Sequence, residues 1–239
     1  MRPVKKGLPH LYVCGTDYEL ARDGLLARLG KYCSYCERRL ATGWAVEHIQ
    51  PKDVTLHPHL EKEWTNFLLA CSNCNSCKGW KDPALDSWLI PDRDNTFTAL
   101  RYLTDGIVEA VPGPNFARAE LTITTLNLNK TLPEVFDEAA VLLALDRRTQ
   151  RMDAWILAKR WRAKWERRPS EDNEDAITDL AKETGMFSIW LAAFHGVPAI
   201  WKRIIASYPG TEESCFDILG TTSTSPHPNS DGLQCGGKC

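Results

Sequence analysis

Two cysteine pairs, Cys33-Ser34-Tyr35-Cys36 and Cys71-Ser72-Asn73-Cys74, are the side chains in this sequence best spaced to do chemistry. A two-residue gap lets both thiolates of a knuckle face one tetrahedral ion, and two knuckles complete an all-cysteine zinc site. The interval between the pairs, residues 37–70, exceeds the roughly 15–20 residues of a plain zinc ribbon. Something substantial is therefore inserted between the knuckles. One CxxC alone is as easily chance or a buried thiol. Here five of nine cysteines fall between Cys33 and Cys77, a concentration that reads as metal binding rather than crosslinking.

The insert carries Val46-Glu47-His48-Ile49-Gln50-Pro51-Lys52, then Trp64-Thr65-Asn66-Phe67-Leu68-Leu69-Ala70 running straight into Cys71. In this order the segment 31–80 resembles the HNH endonuclease superfamily, which interleaves an acidic-His pair, a downstream Asn and a short helix with zinc knuckles. The resemblance implies phosphodiester hydrolysis. That reaction needs a nucleophilic water, a base for its proton, and charge stabilisation at the phosphorane and leaving oxygen. By resemblance His48 is the general base, since an unperturbed imidazole titrates near physiological pH. Glu47 would bind a divalent cation, Mg²⁺ with Mn²⁺ as the substitute, because a hard cation prefers oxygen ligands. Asn66, ahead of the strand 67–70, would orient the His48 ring by a hydrogen bond. Asn75 would open the α element and face the catalytic metal, with a helix N-cap as its rival role. Lys78 and His59 are the candidate substrate contacts. Many members carry His where Asn75 stands, so the second ligand of the catalytic metal stays open. His57 and His59, in the loop before Asn66, are other candidates, against plain exposed histidines. Cys77 is either a replacement ligand or a buried thiol.

Elements must position these groups. Thr16-Asp17-Tyr18-Glu19 fits a capping box, and Leu20, Leu25, Leu26 and Leu29 recur at helical spacing, which predicts a helix over 17–29. Beyond the knuckles, 96–103 and 107–111 around Asp105-Gly106 predict a β-hairpin. From Asn115 the pattern is helical, with candidate helices 115–127, 132–167, 173–184 and 187–207. The last twenty residues lack hydrophobic periodicity and read as disordered. The expected fold class is α+β: a ββα-metal (HNH) core with a four-cysteine zinc site, a β-hairpin, then a mostly helical part. The expected divisions are a lead-in and helix (1–30), the HNH core (31–82), connector and hairpin (83–114), a helical region for partner docking or nucleic-acid binding (115–210), and a flexible tail (211–239).

Bulk composition sets limits on function. A net charge of −2 excludes a polycation, so any nucleic-acid binding must come from local basic patches. No run of about eighteen apolar residues marks a membrane span, and no apolar stretch follows the basic N-terminus, so the expected address is cytoplasmic. One local patch stands out. Residues 147–168 hold nine basic side chains against Asp153 and Glu166, with Trp155, Trp161 and Trp165 interleaved. Phosphate neutralisation needs such density. A solvated helix face with Trp in the core explains it as well, and the acidic stretch 171–179 could neutralise it intramolecularly.

Further motifs are similar to a narrower group. Met1-Arg2-Pro3-Val4-Lys5, the run from Leu29 through Glu37, Cys74-Asn75-Ser76-Cys77-Lys78-Gly79, and Thr122-Ile123 with Leu126-Asn127-Leu128-Asn129 resemble the HNH subunit of Septu antiphage systems (PtuB-like) and related retron-associated proteins. That resemblance implies an antiviral defence nuclease working with an ABC-like or SMC-like ATPase subunit (PtuA-like). DNA is the favoured substrate and RNA, including tRNA, the alternative. Two other readings compete: a non-catalytic zinc-stabilised binding module, and a docking subunit whose helical part carries the function.

Overall fold

In the computed structural model, the backbone is described for all residues except 53–54, 131–137, 218–222 and 225, and side chains for the same set less 138–146. The Asp17 carboxylate caps the first helical turn by accepting from the Glu19 amide at 3.0 Å, while the Thr16 hydroxyl donates back to Val13. A 3-10 turn over Tyr18–Leu20 then runs into α1 (Ala21–Leu29). The expected capping box thus resolves to an Asp cap.

The helix α1 lies against a two-stranded antiparallel sheet of β1 (Trp44–His48) and β2 (Phe67–Cys71), in which Glu47 pairs with Leu68 and His48 with Phe67. All five residues of β2 are buried because α1 and the short helix α2 (Ser72–Lys78) both pack on this sheet. This explains why Phe67-Leu68-Leu69-Ala70 is continuously apolar rather than alternating. Hydrophobic side chains of the segment 88–90, including Trp88, complete the core beneath it.

The predicted hairpin exists but is shorter. Thr96–Ala99 forms one helical turn, α3, and only β3 (Leu100–Tyr102) and β4 (Val108–Ala110) pair. The Thr96 hydroxyl donates to the Met1 carbonyl and Asn95 donates to Cys215, so tertiary bonds hold 95–99 away from the strand conformation. After α4 (Phe116–Thr125) comes the long helix α5 (Glu138–Arg167), then α6 (Glu171–Thr184), α7 (Phe187–Ala193) and α8 (Pro198–Ser207). The part of the expected 132–167 helix at 132–137 lies outside the described residues. The expected 187–207 helix is two, broken between Phe194 and Val197, where Pro198 starts the second.

The helices α6, α7 and α8 bury Ile177, Trp190, Ile200 and Trp201 in a second core against Ala158 of α5. Two contacts seat this core on the first knuckle. The Tyr32 and Tyr208 rings meet at 4.6 Å with the Arg2 guanidinium over both. Gly185 pairs with Arg38 at φ +72°, and a Cβ there would stand 2.6 Å from the Glu37 carbonyl, so only glycine permits the approach.

The terminal segment corrects a sequence expectation. Read as disordered, 226–239 instead packs on the core. The Asn95 amide donates to the Cys239 carbonyl, the Gly237 amide to Arg93, and Lys238 Nζ lies 3.0 Å from the Asp94 carboxylate. Main-chain and ionic bonds do the work that periodicity could not announce.

Candidate active site

The two knuckles converge because of the strand pairing. The Ser34 amide donates to the Leu69 carbonyl at 2.8 Å, which ties the first knuckle to β2, while Cys71 ends β2 and Cys74 lies in the first turn of α2. Cys71 is itself the N-cap of α2, its sulfur accepting from the Cys74 amide at 3.3 Å. The Sγ atoms of Cys33, Cys36, Cys71 and Cys74 all lie within 4.8 Å of one another, and all four side chains are buried. A tetrahedron with Zn–S bonds of about 2.3 Å has edges of about 3.8 Å. Cys36 and Cys71 sulfurs stand 3.8 Å apart. The cluster therefore fits zinc in donor type, number and spacing. Cys77 stays outside it, half-buried, with its thiol donating to Asn73 Oδ1.

A divalent ion on four thiolates retains net negative charge, and two buried arginines meet it. Arg38 Nε donates to Cys36 Sγ and Arg147 Nη1 to Cys74 Sγ, each at 3.4 Å. Arg147 also donates to the Leu126 and Asn127 carbonyls, at 3.2 and 2.5 Å. Burial would lower the Arg147 pKa, but the surrounding sulfurs, Cys74 foremost, hold it above the usual arginine value. Nothing in the knuckle motifs points to Arg147. The available signal was its place in the stripe Arg147, Arg151, Ala154, Trp155, Ala158, which is the buried face of α5.

Beside the cluster, the end of β1 and the length of α2 enclose a cleft of about 390 Å³ lined by Glu47, His48, Lys52, Asn75, Lys78 and Trp80, among others. Successive strand residues diverge. Glu47 turns toward α2, with Oε1 at 3.4 Å from Lys78 Nζ, and His48 turns toward the Tyr18 and Phe67 rings at 4.9 and 5.0 Å. His48 Nε2 lies 2.9 Å from the Glu61 carbonyl oxygen. A carbonyl only accepts, so Nε2 carries the hydrogen and Nδ1 is left with the lone pair. Burial, with help from Lys52 and Lys78, lowers the His48 pKa despite the Glu61 carbonyl. The same burial raises the Glu47 carboxyl to about 7 even though Lys78 opposes it.

The remaining expected site residues fall as follows. Asn75 lines the cleft from the middle of α2, and since Cys71 is the cap, its rival role as N-cap drops out. Asn66 does not touch the His48 ring. Its side chain accepts from the Gln50 amide at 2.8 Å and donates to the Gln50 and Leu60 carbonyls at 2.9 and 3.2 Å. It fixes the ends of the loop whose next residue, Glu61, holds His48, so it acts on the ring at one remove. Lys78 is buried and donates to the His48 carbonyl at 2.5 Å as well as pairing with Glu47, so its ammonium is committed within the protein rather than offered to a phosphate. His57 bonds to Asp82 at 2.7 Å, and neither His57 nor His59 lines the cleft. A feature missed in sequence is the buried triad Lys6–Asp92–Arg93. Lys6 Nζ donates to the Phe67 carbonyl and, at 2.7 Å, to Asp92, while Arg93 donates to Thr65, so the triad grips both flanks of Asn66.

The long basic helix divides between charges held within the protein and charges left to solvent. Arg147 and Arg151 are buried on backbone carbonyls, Arg148 donates to Asp105, and Arg162 pairs with Glu166. Lys159, Arg160, Lys164, Arg167 and Arg168 stay exposed. In the acidic stretch, Glu171, Glu174 and Asp175 pair with Arg203 of α8 instead of with α5.

Residues 33–81 match the family described as HNH endonuclease. Over this segment, about a fifth of the chain, the sequence is similar to that family. The match spans both knuckles, β1, β2 and α2, and so contains the whole cleft apart from its surroundings. Comparison with curated proteins and with solved structures finds no match. No helix among the described residues is long and apolar enough to cross a membrane.

Proposed function

We propose that this chain is a divalent-metal-dependent endonuclease that hydrolyses phosphodiester bonds of nucleic acid, with DNA as the favoured substrate. The observation that carries the reading is the His48 ring, held by a carbonyl at Nε2 so that Nδ1 is a ready proton acceptor, in one cleft with Glu47 and Asn75. In this reading His48 takes the proton of the attacking water, and the loop fixed by Asn66 keeps the ring in its tautomer. Glu47 lines the cleft with its buried Oε1 met by Lys78 Nζ at 3.4 Å, longer than a strong ionic hydrogen bond, so an incoming cation would compete with the ammonium for the carboxylate. With Asn75 it would hold Mg²⁺ or Mn²⁺, which when bound supplies charge stabilisation at the phosphate. Lys78 steadies the carboxylate from within.

The test is cleavage of DNA and RNA by the purified full chain with added Mg²⁺ or Mn²⁺, beside His48→Ala. Loss of the base should cost about 10²–10⁴-fold in rate with zinc content unchanged. Equal cleavage by both proteins, abolished in both by chelation, would discard His48 as base. One observation favours a non-catalytic module instead: the Lys78 ammonium already neutralises Glu47. Absence of cleavage of any nucleic acid with either metal would select that reading.

The resemblance to Septu HNH subunits supports placing this nuclease in a cytoplasmic antiphage assembly with an ABC-like or SMC-like ATPase. On α5, Met152 and Ile156 are exposed apolar side chains leading into the basic end of the helix, a surface suited to such a partner. Co-purification with the ATPase, lost on Ile156→Glu, tests this.

A further inference from the structure

Trp80 is the least expected member of the cleft. It is 70% exposed, although it is the largest side chain lining the space that also holds Glu47, His48 and Asn75. Its backbone is not loose. Gly79 ends α2 at φ +50° and returns its amide to Asn75, the Lys81 amide bonds back to Lys78, and Lys81 Nζ is anchored on the Thr125 carbonyl at 2.8 Å. Among the described residues the indole makes no ring or cation contact, whereas Trp161 has Lys164 over it and Trp155 has Lys159. The backbone that carries the indole is thus held on both sides, and the indole itself is left bare toward solvent.

Charge defines what the cleft would accept next to that plane. Lys52 lines it too, with Nζ placed over the Tyr18 ring at 3.8 Å. The carboxylate in the lining, Glu47, is buried and paired with Lys78. A cation and an uncovered aromatic plane in one cleft match two parts of a nucleotide, its phosphate and its base, with the general base set there to act on water. The phosphate goes to the polar end, and a flat π-system goes to the indole.

We propose that Trp80 is a stacking platform for the nucleobase beside the scissile phosphate, and that the substrate therefore presents an unpaired base there: single-stranded DNA or RNA, or a single-stranded junction. A base inside an intact duplex has both faces covered by its neighbours and cannot lie on the indole. A splayed base can, and stacking of this kind tolerates any base identity. The inference rests on the nuclease reading above.

The test uses the full chain carrying His48→Ala, to stop cleavage, with fluorescent strands of equal length and charge that either carry bases or are abasic. Stacking contributes to binding, so base-carrying strands should bind about tenfold tighter than abasic ones. Adding Trp80→Ala should remove that preference, and adding Trp80→Phe should keep most of it. Deoxy and ribo strands run in parallel separate DNA from RNA, and blunt duplex should bind more weakly than single strand. Equal binding of base-carrying and abasic strands overturns the platform, and so does a preference that survives Trp80→Ala. If the unaltered protein cleaves nucleic acid and either result is seen, the nuclease reading stands and only the platform falls. If nothing is bound or cleaved, both fall together. A melting curve for Trp80→Ala matching the parent shows that any lost preference is not misfolding, as expected for so exposed a side chain.

Discussion

The imidazole of His48 and the backbone carbonyl of Glu61 are joined at 2.9 Å, so the orientation of the candidate base is set by main chain and not by another side chain. Glu61→Ala keeps that carbonyl and should leave cleavage within a few-fold of the parent, in contrast with the loss expected from His48→Ala. A loss as large in Glu61→Ala would mean that the carboxylate, not the carbonyl, does the work.

The pH profile follows from the same burial. His48 titrates below its ordinary 6.5, because burial and then the neighbouring lysines disfavour the imidazolium. The neutral ring therefore persists to lower pH, and NMR titration of the His48 ring should give a midpoint below 6.5, whereas a rate profile would also carry the Glu47 carboxyl, raised to about 7. A ring midpoint above 6.5 would contradict the buried setting assigned to the base.

Arg147 should control zinc retention. Partners of metal ligands typically cost 10–100-fold, roughly, in metal affinity when removed, and this one also satisfies two carbonyls. Arg147→Met should release zinc to a chromogenic chelator at least about tenfold faster and lower the melting temperature. Arg148→Met, one residue away but exposed on Asp105, is the control and should change neither.

Asp92 makes the fold sensitive to acid. Burial alone would raise this carboxyl, but Arg93 and then Lys6 more than reverse it, holding it at about 2 against an ordinary 3.8. The folded state therefore binds the proton less readily than the unfolded chain. Stability from this group is present above the ordinary value and is lost as pH falls from about 4 toward about 2. Asp92→Asn should cost about 3–5 kcal/mol at neutral pH in urea denaturation, since it leaves two buried cations underpaired. It should also flatten the pH dependence below 4.

Truncation to 1–114 should not yield a folded nuclease. The first core includes Ala119, Ile123, Leu126, Ala154 and Trp155 from α4 and α5, and the second core rests on the first knuckle. Insolubility or broad melting of that fragment is the expected outcome. A cooperative, zinc-loaded fragment would show that the HNH-like segment stands alone.

What the sequence disclosed was whatever lay close along the chain. The knuckles, Glu47-His48 and Asn75 are short-range patterns, and the structure gathers the four thiols and the three cleft residues. What it concealed depends on distant backbone. The grip of Asn66 on Gln50 and Leu60 has no side-chain signature, so a direct bond to His48 was the natural but mistaken expectation. Arg147 and Arg151 looked like a nucleic-acid patch because charge at the buried positions of a helix is invisible until the facing surface is known. The segment 226–239 looked disordered because it is held by main-chain bonds and by Lys238 on Asp94, not by an apolar face.

The division of the zinc site between two distant stretches has a consequence for how the protein is made. The four thiols are complete once residue 74 has been synthesised, whereas the guanidinium that meets Cys74 arrives 73 residues later. If the knuckles take up zinc as they emerge from the ribosome, Arg38 alone meets the charge of the loaded site until α5 docks. In that order the approach of Arg147 would be drawn to a site that is already charged.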